Sequence, residues 1–165
     1  MTRPADPPSQ FTLHVSVAQR WWLRHLPEAG RAEKFFRESV LPRHVWFIAA
    51  DTLELDVLSA IAKDLATELD PLLAEQLATD VSLTLAQMRR AGTLQLAPHE
   101  PLLRAAIIAA SIHQVPLPDA LAIALAQDSG QPLLLADRAL YDYLLTLQPM
   151  HPGLSLAWLA DQVDG

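Results

Sequence analysis

Two aspartates stand at successive chain reversals in the stretch from Pro118 to Leu144, PDALAIALAQDSGQPLLLADRALYDYL. Asp119 opens an apolar helical run, and Asp137 directly follows the short strand-forming run from Pro132 to Ala136. In a parallel α/β sheet the carboxyl ends of strands and the amino ends of the following helices line the ligand cleft. Both carboxylates are therefore expected to face one crevice. Paired carboxylates there suit a hard divalent cation, Mg²⁺ or Mn²⁺, which prefers carboxylate oxygens and water. Such an ion orients and deprotonates a water and stabilises charge developing on a phosphate. An Asp between strand and helix is also among the best N-caps, so each aspartate has a purely structural role open to it. Taken alone, Asp56 reads as part of a solvated helix face and His14 as a hydrogen-bonded core or rim histidine.

Placing such residues requires alternating strands and helices, and the chain supplies that alternation. Phe11 to Val15 (FTLHV) reads as strand one, followed by Ser16 and a helical run through Trp21, Trp22 and Leu26. Trp21 and Trp22, adjacent on a helix, cannot both point inward. Glu28 to Val40 reads as a second helix, and Val45 to Ala49 as a buried parallel strand, being continuously apolar. Asp51 with Glu54 three residues on makes a capping box for a helix through about Leu65. Pro71 opens another helix to about Arg90, which Gly92 stops; Thr93 to Leu96 is a third strand, and a helix follows from about Pro101 to Ile112. After the helix beginning near Asp119, Pro132 to Ala136 is strand four, and a last strand is expected near His151 to Leu154. Right-handed crossovers would bring strands one and four together at the sheet centre. The 13 prolines sit mostly at junctions and argue against long helices. The apolar faces of Leu72 to Met88 and Leu102 to Ile112 are expected to pack in the core rather than against a second chain.

Composition narrows the function classes. At 165 residues the chain suits one domain, expected over 11–165 behind a flexible extension at 1–10. With no cysteine, disulfide and thiolate-metal scaffolds are excluded, and a reducing, cytoplasmic location fits. No apolar leader opens the chain, and the run from Leu102 to Ile112, interrupted by Arg104, is too short to span a bilayer. A net charge of −7 opposes non-specific binding to nucleic acid, so phosphate contacts must come from local residues. Arg20, Arg24, Arg43, Arg138 and His113 are the candidates. There is no Gly-x-Ser-x-Gly elbow, no phosphate-cradling glycine loop and no His-x-x-x-His zinc spacing.

The order helix with Asp, Gly turn, strand, Asp, helix resembles the C-terminal half of a PIN domain. That family holds metal-dependent ribonucleases, including the VapC-type toxins of bacterial toxin-antitoxin pairs. The resemblance spans roughly Phe11 to Ala160. The family's opening Asp-x-Ser-Val, Trp-containing helix and Leu-Pro-Glu are matched by His14-Val15-Ser16-Val17, Trp21, Trp22 and Leu26-Pro27-Glu28, with His14 in the place of the first acid. Glu-Val-x-Asn-Ala-Leu becomes Asp56-Val57-Leu58-Ser59-Ala60-Ile61, with Glu54 the rival second acid. The third and fourth acids are matched by Pro118-Asp119-Ala120 and by Leu135-Ala136-Asp137-Arg138, where Leu135 replaces a Thr whose hydroxyl could have bonded in the site.

The resemblance implies a three-layer PIN-like α/β fold with a mostly parallel sheet of about four or five strands. It also implies Asp56, Asp119 and Asp137 as catalytic metal ligands for Mg²⁺ or Mn²⁺, with His14 as a further ligand that weakens binding and favours Mn²⁺ or Zn²⁺. The activity implied is hydrolysis of RNA phosphodiesters, with a small antitoxin protein and a homodimer as further partners. The alternative is a catalytically silent PIN-like module that binds RNA or a protein partner, which His14, Leu135 and the acidic charge favour. In a plain structural domain, by contrast, the aspartates would serve only as caps.

Overall fold

Five apolar runs form one all-parallel sheet in the computed structural model, which describes residues 9–65 and 70–164. They are β1 (Ser9–Leu13), β2 (Val45–Ala50), β3 (Leu94–Ala97), β4 (Leu133–Leu135) and β5 (Leu156–Trp158). The order across the sheet is β3-β2-β1-β4-β5. Central β1 pairs with β2 from Ser9 opposite Val45 to Thr12 opposite Ile48, and with β4 through Thr12 opposite Leu133 and Leu13 opposite Leu134. Strand order reverses between β1 and β4, the switch point where parallel sheets open a cleft at their carboxyl edge. Residues 1–8 of the expected N-terminal extension lie outside the described residues.

Helices cover both faces, giving the three-layer PIN-like architecture. They are α1 (Val15–Ala18), α2 (Ala29–Phe35), α3 (Leu53–Leu65), α4 (Pro71–Ala91), α5 (Leu103–His113), α6 (Leu117–Ser129), α7 (Arg138–Leu147) and α8 (Leu159–Asp164). Side chains alternate across the strands, so Phe11, Leu13, Phe47, Leu94 and Leu134 pack with Val17, Phe35, Val57, Val81 and Leu85 from α1 to α4. On the other face Leu133 and Leu135 pack with Ile123, Ala126 and Leu144 from α6 and α7. α5 packs on α6 through Ala106, Ala109, Ala120 and Ala124, with Ile48 of β2 against them. All three residues of β4 are buried, as a strand covered on both faces requires. Removing the Phe47 side chain from that core by an alanine substitution would cost about 3–5 kcal/mol.

Several boundaries differ from expectation for local reasons. Strand one begins at Ser9 and ends at Leu13, because His14 is already the N-cap of α1. The second helix ends at Phe35 and widens into a π turn over Phe36–Val40, closed by the Leu41 N–H on the Phe36 carbonyl at 2.9 Å. A spacing of five brings both Phe35 and Val40 into the core. The capping box does not form: Asp51 accepts the backbone and ring N–H groups of His99, and Glu54 accepts the Ser82 hydroxyl of α4.

α4 runs for 21 residues from Pro71 to Ala91, as its expected start and stop required, and the proline does not shorten it because it sits at the N-terminus where no N–H is needed. Its end is set by Gly92 at φ 75°. The last strand falls at Leu156–Trp158, since Pro152 and Gly153 turn the chain at the expected place and Leu154 N–H closes on the His151 carbonyl at 2.9 Å. Expected core faces are also partly bare: Ile107, Ile108 and Ile112 of α5 are 57%, 50% and 63% exposed. Among the described residues no single helix is long and apolar enough to cross a membrane.

Candidate functional site

His14 leaves β1 in extended conformation, φ −88° and ψ 147°, and its Nδ1 caps α1 by accepting the Ser16 backbone N–H at 3.1 Å. The Ser16 hydroxyl lies 2.9 Å from the same Nδ1 and accepts the Ala136 N–H at 3.0 Å. An acceptor at Nδ1 leaves the ring proton on Nε2, which donates to Asp119 Oδ1 at 3.2 Å. One buried imidazole thus ties the β1–α1 junction, through Ser16, to the β4–α7 junction and, through Asp119, to α6. His14 is 3% exposed and the Asp119 side chain 19%, so the pair stands at a cleft wall.

Asp119 and Asp137, which the sequence places at similar positions, are held differently. Pro116 is the N-cap of α6, and Asp119 sits in the first turn with its carboxylate turned to His14. Asp137 is itself the N-cap of α7, accepting the Leu140 N–H at 3.0 Å through Oδ1. Both line one open cleft of about 560 Å³, together with His14, Ser16, Lys63 and Asp64.

Asp56 lies on α3 one turn before Ala60, a lining residue of that cleft. Its carboxyl is pushed up from the ordinary carboxylate range, chiefly by burial and further by the charge of Asp119; the Thr52 hydroxyl bonded to Oδ2 at 2.9 Å and the His14 ring oppose the shift. Of the two acids proposed on α3, Asp56 is electrostatically coupled to His14 and Asp119, whereas Glu54 is turned to Ser82 on α4.

Each of the three aspartates makes its protein hydrogen bond through one oxygen, and its second oxygen makes none among the described residues. Those are the hard donors that Mg²⁺ or Mn²⁺ takes, so the residue types fit such an ion. Among the described residues, no three ligating side chains already converge into a ready-made ion site. Both ring nitrogens of His14 are engaged, Nδ1 by the Ser16 N–H and Nε2 by Asp119 Oδ1.

The basic residues are mostly committed elsewhere. Arg20 is buried, donating Nε to the Pro27 carbonyl at 2.6 Å and Nη1 to the Ser16 carbonyl. It clamps the Leu26-Pro27-Glu28 turn onto α1, where Glu28 takes a left-handed φ of 67°. Burial pulls its guanidinium down from the ordinary value, and the charges of Asp137 and Glu28 push back. Arg24 pairs with Glu33, Arg138 pairs with Asp142 and lies over Tyr141 and Trp158, and His113 is buried. Lys63 is the cation in the cleft wall, and sequence reasoning missed it. Its signal was present, since Asp56, Ala60 and Lys63 recur on one face of α3. Leu135 belongs to the core with α6 and α7, so a Thr there would point away from the cleft. Trp21 is buried and Trp22 half-buried.

No protein-family model matches the chain, and no curated protein matches it.

Proposed function

We propose that the cleft is a divalent-cation site for hydrolysis of RNA phosphodiester bonds, on a chain related to the PIN domains. The observation that carries this reading is the gathering of Asp119, Asp137 and the His14–Ser16 pair around one cleft at the β1/β4 switch point. Asp56, Asp119 and Asp137 would hold Mg²⁺ or Mn²⁺ through their uncommitted oxygens. A bound ion supplies an oriented, more acidic water and neutralises charge developing on the scissile phosphate. Lys63, which lines the same cleft, would meet a phosphate oxygen of the backbone beside the carboxylates. His14 bonds one oxygen of Asp119, and Ser16 fixes the His14 ring. The bare isoleucines of α5 support packing against a second chain, a homodimer being the simplest form.

One observation favours a second reading. His14 puts an N–H where the family resemblance expects a carboxylate, which suits a catalytically silent module that binds RNA or a protein partner.

Calorimetric titration of Mn²⁺ into the wild-type protein and Asp119→Asn separates the two. The cation reading expects binding in the first and loss in the second. A flat titration in both leaves the silent module.

A further inference from the structure

We propose that the Nε2–H of His14 stands in for the cation at Asp119, so that a divalent ion in the cleft competes with that hydrogen bond for the carboxylate's charge. The inference rests on the cation-site reading above and sets how that site is regulated. Its basis is geometric. The ring is held at both ends: Nδ1 by the Ser16 N–H at 3.1 Å and the Ser16 hydroxyl at 2.9 Å, Nε2 by Asp119 Oδ1 at 3.2 Å. Ser16 cannot readily release Nδ1, because its own hydroxyl is fixed by the Ala136 N–H at 3.0 Å. A ring flip would put Cε1 at Asp119 and Cδ2 at the Ser16 N–H and lose both bonds, so the buried network holds one ring orientation, and an accepting Nδ1 specifies the tautomer.

Asp119, for its part, is not occupied in capping α6, and His14 is the partner of its Oδ1 among the described residues. A hydrogen-bond donor aimed at a carboxylate oxygen does part of what a cation does there: it offsets the negative charge. In this chain the donor is built in. The resemblance expects a carboxylate at position 14 that would attract a cation; the imidazole instead satisfies Asp119 internally. Cation occupancy becomes a competition between an ion and an N–H for one carboxylate.

The test is calorimetric titration of Mn²⁺ into wild type, His14→Ala, His14→Asp and Asp119→Asn. His14→Ala removes the donor without adding charge and is expected to tighten Mn²⁺ binding by roughly tenfold, the equivalent of one hydrogen bond's free energy. His14→Asp keeps an oxygen to cap Ser16 and adds a carboxylate, so it is expected to bind tighter still. Equal affinity in wild type and both His14 variants, with loss in Asp119→Asn, overturns the stand-in and leaves the cation site intact. No binding in any of the four proteins overturns both.

A second readout does not depend on the variants folding: ¹⁵N NMR of the His14 ring during a Mg²⁺ titration. The Nε2–H signal is expected to be protected from solvent exchange in the free protein and to lose that protection as Mg²⁺ binds. A signal unchanged at Mg²⁺ saturation overturns the inference.

Discussion

At the start of α7, Asp137 accepts the Leu140 N–H and closes the first turn; at the start of α6, Asp119 bonds no backbone group and reaches across the cleft to His14. The two residues share a type, a neighbouring apolar strand and a helix start, yet one serves its own helix and the other serves the site. The difference lies in the residue before the helix. Pro116 fixes the entry to α6 with φ −55° and ψ 152°, taking the cap position and leaving Asp119 in the first turn, free to turn sideways. At α7 the Ala136 N–H is given to Ser16 and Asp137 follows directly as the cap. A carboxylate at a helix start becomes available for chemistry when another residue sits at the cap.

Substitutions can break or sharpen that contrast. The largest effect is expected at Asp119: Asp119→Asn should lower Mn²⁺ affinity by more than about a hundredfold, beyond what loss of a supporting residue usually costs, and change stability by less than about 0.5 kcal/mol. Titration calorimetry and urea unfolding measure the two. Ser16→Ala comes next, since it removes the hydroxyl that links His14 to the Ala136 N–H and strands buried groups; a loss of about 1–3 kcal/mol in urea unfolding is expected.

Asp137→Ala should cost about 1 kcal/mol through the lost cap, and Asp137→Asn much less, because Asn caps as well. Were Asp119→Asn to cost as much as Asp137→Ala in the same urea series, the contrast between the two helix starts would be wrong. The smallest effect is expected at Asp56. Its folded carboxyl is raised by burial and by Asp119, so the native state holds this proton to higher pH than the unfolded chain does. That contribution is present at low pH and declines as pH rises from the ordinary carboxylate range through the raised value. Asp56→Asn, which cannot ionise, should therefore be slightly more stable than wild type at neutral pH and not in acid, as melting temperatures across pH would reveal.

Much of the architecture is legible in the chain because parallel strands announce themselves as continuous apolar runs. Val45 to Ala50 and Leu133 to Leu135 are such runs, and their crossovers leave little choice but to put β1 beside β4. The meeting of Asp119 and Asp137 at one cleft follows from that topology. The role of His14 does not. It depends on a ring nitrogen bonding two residues ahead and the other nitrogen meeting a side chain 105 positions away, and no spacing rule encodes that pair. The failed capping box at Asp51 has the same origin: a tertiary partner, His99, lies 48 residues on and takes the carboxylate that local pattern assigned to the helix end. Boundaries moved where a cap, a π turn or a proline decided them, as at His14, Phe36 and Pro152.

The most direct measurement is cleavage of end-labelled single-stranded RNA in Mn²⁺, with and without chelator, by wild type, His14→Asp and Asp119→Asn. The expected result is Mn²⁺-dependent cleavage by the wild type, faster in His14→Asp, abolished by chelator and absent in Asp119→Asn. Intact RNA in both wild type and His14→Asp at saturating Mn²⁺, or equal cleavage by Asp119→Asn, would contradict a cation-dependent nuclease site in this cleft.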